Sequence, residues 1–149
     1  MNGTVTLRPA RVEDAVPCAR ILGDWVTATA WLPRLHTGAE DLAFLRHLIG
    51  AGQVTVADRG GVAVGYLARD GRDLKHLYLA PEARGAGIGS RLLHAAQAAS
   101  DRLTLWCFQA NEGARRFYER HGFRATTFTD GADNEEGVPD VRYDWEATS

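Results

Sequence analysis

A chain of 149 residues that is 45% hydrophobic and 24% charged can bury a sizeable core and reads as one globular domain over 1–149. Its formal net charge of −2, with the basic residues dispersed and Lys75 the one lysine, argues against nucleic acid, whose binders cluster a basic surplus on one face. No apolar run approaches the roughly 20 residues of a membrane span, and Met1–Val5 lacks the basic start of a secretory leader, so no membrane and a cytoplasmic location are the default.

Taken along the chain, Thr4–Arg8 alternates like a strand and stops at Pro9. Glu13 to about Thr29 carries apolar residues at helical spacing, with Pro17 in its first turn or forcing a later start. Ala30–His36 is too apolar for an idle loop and is broken by Pro33. Thr37 suits the cap of a second helix with Leu42, Leu45, Leu48 and Ile49 on its core face, ending at Gly50-Ala51-Gly52. Gln53–Asp58, Val62–Arg69 and Asp73–Ala80 read as a three-stranded antiparallel meander with turns at Arg59–Gly61 and Asp70–Arg72.

The pattern becomes helical again from Gly87 to Ser100. Leu103–Phe108 is an apolar run of the kind found in strands covered on both sides. Glu112–His121 is a short helix with Gly122 at its left-handed cap, and Phe123–Thr129 and Val141–Trp145 complete the strands. The order is β-α-α-β-β-β-α-β-α-β-β, an α/β domain with a mixed sheet. Cys18 and Cys107 lie far apart without CxxC spacing and read as buried free thiols; no metal site is expected.

The densest signal runs from Leu77 to Ser90. A buried strand ends at Pro81, and Gly85, Gly87 and Gly89 open a helix behind Arg84. Glycines let successive backbone N–H groups converge, and the helix start adds partial positive charge, so the turn is suited to phosphate. Arg84 adds a fixed charge at its rim. A P-loop would need Gly-Lys-Ser/Thr where Gly89-Ser90-Arg91 stands, and a dinucleotide fingerprint would need glycine at Ser90.

Arg84-x-x-Gly87-x-Gly89 resembles the Arg/Gln-x-x-Gly-x-Gly/Ala signature of the GNAT superfamily of N-acetyltransferases. Asn111 to Phe123, with Tyr118 inside it, is similar to the second half of that family's pattern. The resemblance is residue-specific from about Asp73 to Phe123 and follows the element order over nearly the whole chain. It implies a mostly antiparallel sheet of about seven strands, splayed between strands 4 and 5, with about four helices. It also implies coenzyme A in the wedge: the backbone of Leu77, Tyr78 and Leu79 along the pantetheine arm, the amides of Gly85, Ala86, Gly87, Ile88, Gly89 and Ser90 on the pyrophosphate, and Asn111 on the opposite lip.

The activity implied is transfer of an acetyl group from acetyl-CoA to an amine by direct attack, with Tyr118 as the general acid and a strand amide near Leu79 for the oxyanion. A phenol of pKa about 10 is protonated at neutral pH and suited to return a proton to a departing thiolate. The base is open. Where some relatives carry a fifth-strand glutamate this chain has Trp106, which leaves Asp73, His76 or a water chain.

The acceptor pocket implied lies between Trp31–His36, with Trp31 and His36 as candidate contacts, and Thr129–Asp140, whose acidic residues form either a rim that attracts a cationic amine or a solvated turn. The competing class is a non-catalytic acyl-CoA-binding module that senses the cofactor or docks a partner. The resemblance is also compatible with a homodimer.

Overall fold

The computed structural model describes residues 3–148, and every expected element is present within about two residues of its anticipated ends. Seven strands form one sheet: β1 (Val5–Pro9), β2 (Val54–Arg59), β3 (Val62–Asp70), β4 (Asp73–Leu79), β5 (Arg102–Phe108), β6 (Arg124–Phe128) and β7 (Asp140–Glu146). Four helices accompany them: α1 (Ala15–Ala28), α2 (Gly38–Gly50), α3 (Ile88–Ala98) and α4 (Glu112–Arg120). Pro17 is the third residue of α1, inside the first turn, where a missing N–H costs no helical hydrogen bond. Thr37 caps α2 reciprocally: its hydroxyl accepts from Glu40 N–H at 3.1 Å, and Glu40 Oε1 accepts from Thr37 N–H at 2.9 Å.

The strand order is β1-β2-β3-β4-β5-β7-β6, antiparallel everywhere except β4–β5. A parallel neighbour needs a crossover, and α3 supplies it. That parallel pair is joined in register only at Asp73↔Thr104, after which the strands part. The β5-facing backbone edge of β4 beyond Asp73 therefore has no strand partner among the described residues.

Successive residues of a strand face opposite sides of the sheet. Tyr78 packs on Trp25 of α1 at 4.8 Å between ring centroids, whereas Leu79 lies toward Gly89 of α3 and the Phe117 side of α4. The first two helices thus cover one face and the last two the other. The core between them includes Leu45, Leu48, Leu92, Leu93, Tyr66 and Tyr143. Cys18 and Cys107 are both buried and free, and burial pushes each thiol up to about 12.

One expectation fails in a way that matters for the site. β5 is not covered on both sides. Leu103, Leu105 and Cys107 are buried while Trp106, on the opposite face, is 50% exposed at the lip of the wedge.

At the other end of the sheet, Arg8 binds two carboxylates. Its guanidinium donates to Asp58 at 2.7 Å and to both oxygens of Asp14 at 2.7 and 2.9 Å, and Asp14 is only 3% exposed. This pair fastens β1 and β2 to the approach of α1. The Arg8 guanidinium holds the Asp14 carboxyl below its usual range, helped by the Arg11 N–H.

Candidate active site at the parted strands

The glycine turn closes the top of β4. Pro81–Ala83 form one 3₁₀ turn, Gly85 and Gly87 both take φ of 79°, and Gly87 is the N-cap of α3 with no side chain capping the helix. Two left-handed residues at this spacing turn the chain sharply enough to leave the first amides of α3 facing outward. Of the residues singled out here, Ile88 is a core side chain, 2% exposed, so only its backbone is available to a ligand. Arg84 lies back over the strand end, its Nη2 donating to the Leu79 carbonyl at 3.4 Å.

Ser90 has a partner that sequence reasoning missed. His121 sets Nδ1 against the Phe117 carbonyl at 2.7 Å and Nε2 against the Ser90 hydroxyl at 3.1 Å. A carbonyl only accepts, so Nδ1 carries a proton, and in the neutral ring Ser90 donates to Nε2. His121 thereby locks the start of α3 to the end of α4. Its place next to the cap Gly122 concealed this, because the contact joins residues 31 apart.

The cleft between β4 and β5 is lined by Leu77 and Tyr78 on one lip, Trp106 and Cys107 on the other, and Asn111 and Tyr118 from α4. Tyr118 is 8% exposed, and its hydroxyl makes no hydrogen bond among the described residues. Burial, then the neighbouring Cys107 and Tyr78, raise its pKa well above that of an ordinary phenol, so it stays protonated. Asn111 caps α4, its Oδ1 accepting from Ala114 N–H at 3.2 Å, which leaves the amide Nδ2 for other partners.

The two candidate bases are not brought together. Asp73 is exposed at the joined end of the splay, six residues from Leu79 and about 20 Å away along the strand. His76 lies in the wall of a second cavity, its Nδ1 2.9 Å from the Tyr66 hydroxyl. Burial, then the charge of Lys75, lowers its pKa to about 4.

That second cavity, of about 500 Å3, opens between α1, α2 and the 129–140 loop. It shares Trp25, Tyr78 and Phe108 with the β4–β5 cleft, so these three rings form the junction of the two spaces. The two anticipated acceptor segments meet here: His36 Nε2 lies 2.6 Å from Glu135 Oε1. His36 lines the cavity. Trp31 does not; it packs edge-on against Phe108 at 5.6 Å and supports the wall from behind. Trp25, Phe44 and Phe108 were not singled out beforehand because they sit inside regular elements, where an aromatic reads as core.

The 129–140 loop is internally hydrogen-bonded, although Asp130, Asp133 and Glu135 are exposed on it. Asp140 is 8% exposed and bonded to the Thr129 hydroxyl and to Asn134 Nδ2, and Asn134 also holds both backbone polar groups of Val138. Gly131 has φ of 84°, and a methyl group there would run into the Val138 carbonyl and the Pro139 nitrogen. Gly131→Ala is therefore expected to lower stability by about 2 kcal/mol through backbone overpacking and left-handed strain. Gly137→Ala, at φ of 66° in open space, carries the strain alone and is expected to cost about 1 kcal/mol. Thermal denaturation of both variants checks the difference; equal melting points would mean the loop yields freely at Gly131.

A model of the GNAT acetyltransferase domain matches residues 50–125, just over half of the chain. The chain is 34% identical over 106 residues to the Mycobacterium tuberculosis protein named "Probable N-acetyltransferase Rv2775". That match takes in 63% of this chain and 60% of the relative, so the chain spans less than two thirds of the relative's length. Among solved structures, apo YjaB from Escherichia coli superposes with a TM-score of 0.79 at 23% identity, over 97% of this chain and 99% of that one. YncA from Salmonella typhimurium, solved with its cofactor acetyl-CoA, gives 0.76 at 20% identity, over 98% and 95%. At such identities the likeness is one of fold, and the fold is the seven-stranded sheet parted between β4 and β5.

Proposed function

The chain belongs to the GNAT acetyltransferase family, and from that premise we propose that it transfers the acetyl group of acetyl-CoA to a primary amine by direct attack, with Tyr118 as the general acid. The observation that carries this reading is the cleft itself. β4 presents an unpaired backbone edge, the glycine turn presents free helix-start amides at its end, and a buried, protonated Tyr118 faces the same space.

Each part has a physical task. The edge of Leu77, Tyr78 and Leu79 would pair with the amides of a pantetheine arm as a strand would. The amides from Gly85 to Ser90 would take the pyrophosphate, and Asn111 Nδ2 would donate from the opposite lip. The acetyl thioester then lies where the Trp25, Tyr78 and Phe108 rings separate cleft from cavity. The amine nitrogen attacks the carbonyl carbon, the carbon–sulfur bond breaks, and the sulfur takes the Tyr118 proton. A strand amide near Leu79 would hold the oxyanion. The proton lost by the amine goes to water in the open cavity: Asp73 is remote, and His76, with its pKa lowered to about 4, is a weak acceptor.

Acetyl-CoA at 100 times its Kd is expected to stabilise the protein by about 2.7 kcal/mol, read as a raised Tm. Acetyl-CoA with an amine panel is expected to release free thiol. A raised Tm without thiol release from any amine would favour the sensor reading instead.

A further inference from the structure

We infer that the acceptor is an amine carrying one positive charge on an apolar, ring-sized body, and that Glu136 is the carboxylate that receives its ammonium group, which gives up a proton to water before the nitrogen attacks. The inference rests on the acetyltransferase reading of the neighbouring cleft and concerns the cavity beside it.

Four carboxylates line that cavity, and three are committed. Asp41 lies 3.6 Å from Arg34, Glu135 lies 2.6 Å from His36, and Glu40 accepts the Thr37 N–H at 2.9 Å in the α2 cap. Glu136 is half-buried and has neither an ion pair nor a hydrogen bond among the described residues. An unpaired carboxylate beside apolar walls is costly until a cation arrives.

Glu136 is also placed for the reaction. It lines the cavity together with Tyr78, the ring at the junction with the cleft. The remaining walls are Trp25, Phe44, Tyr78 and Phe108 with Leu32 and Leu35, faces that accept an aromatic body and favour a nearby cation. A substrate carboxylate meets no uncommitted arginine or lysine, since Arg34, the one in the lining, faces Asp41, and His36 faces Glu135. The further ammonium groups of a polyamine would meet only carboxylates already engaged, Glu40 in the α2 cap and Glu135 on His36.

The test is binding of 2-phenylethylamine, phenylalanine and spermidine to the full chain saturated with CoA, together with thiol release from acetyl-CoA for each. Binding of 2-phenylethylamine is expected to be at least about tenfold tighter than that of the other two. Glu136→Gln is expected to weaken it about 10- to 100-fold, the range of a hydrogen bond to a charged group, while CoA raises the Tm of that variant as in the wild type. Tighter binding of spermidine or phenylalanine, or unchanged affinity in Glu136→Gln, overturns the inference. If the wild type acetylates another amine without binding 2-phenylethylamine, the inference falls and the acetyltransferase reading stands. If 2-phenylethylamine binds through Glu136 but no amine is acetylated, the reverse holds.

Discussion

Tyr118→Phe is expected to lower kcat by about 10²- to 10⁴-fold, the usual worth of a positioned acid, while acetyl-CoA affinity changes by no more than a few-fold. The variant is a clean test because the Tyr118 hydroxyl has no hydrogen-bond partner among the described residues. Removing it strands no other buried group and leaves the ring packed on Phe117 and Phe123. Its Tm should therefore equal or slightly exceed that of the wild type. Stopped turnover with a folded, cofactor-binding protein is the expected pattern, and unchanged turnover would remove Tyr118 from the mechanism. Since burial raises the phenol's pKa, no loss of rate from ionisation of Tyr118 is expected below pH 10.

Arg8→Ala is expected to cost about 3 to 5 kcal/mol, the penalty for leaving one member of a buried ion pair alone. In a domain of this size that lowers Tm by about 10 °C. The loss comes mainly from Asp14, left charged at 3% exposure with only the Arg11 N–H to meet it.

The pH dependence has a definite sign. In the wild type the folded-state pKa of Asp14 is depressed, so its stabilisation is present above the ordinary value of 3.8 and is lost as pH falls below it. In the variant, acid protonates the stranded carboxyl and relieves the penalty. The gap in Tm between the two proteins should begin to narrow above pH 4, where the stranded carboxyl takes up its proton, and go on narrowing below it as the wild type loses its pair. A gap that stays constant would mean that Asp14 is not the source. His76 adds a separate acid sensitivity to both. Its folded pKa of about 4 lies below the ordinary 6.5, so its contribution is complete above pH 6.5 and fades between 6.5 and 4.

Much of the cofactor side was legible in advance because it depends on local chemistry. Gly85 and Gly87 take the left-handed backbone that favours glycine, whereas Gly89 lies inside α3 with room for a methyl group. Thr37 and Gly122 mark helix ends by short-range hydrogen bonding and φ, which the chain encodes within four residues. The acceptor side was less legible. That segments 31–36 and 129–140 would meet was an expectation of the resemblance, but which of their residues line the cavity was not. Trp31 was expected either to wall the pocket or to pack in the core, and in the structure it packs on Phe108, which lines the cavity where Trp31 does not. The spacing of Leu103–Phe108 suggested a strand covered on both faces. One face is open at Trp106, and nothing within β5 records which parts of its two faces are covered.

The glycine turn, the helix caps and the alternation of the strands were therefore determined by the sequence itself, since each rests on backbone sterics and hydrogen bonds between near neighbours. Only the tertiary structure decided that Tyr118 is buried without a hydrogen-bond partner among the described residues, that Asp73 and His76 lie apart, and that Glu136 alone among the cavity carboxylates lacks a partner there. Those facts depend on contacts between residues distant in the chain, and on burial, which is a property of the packed molecule rather than of any segment.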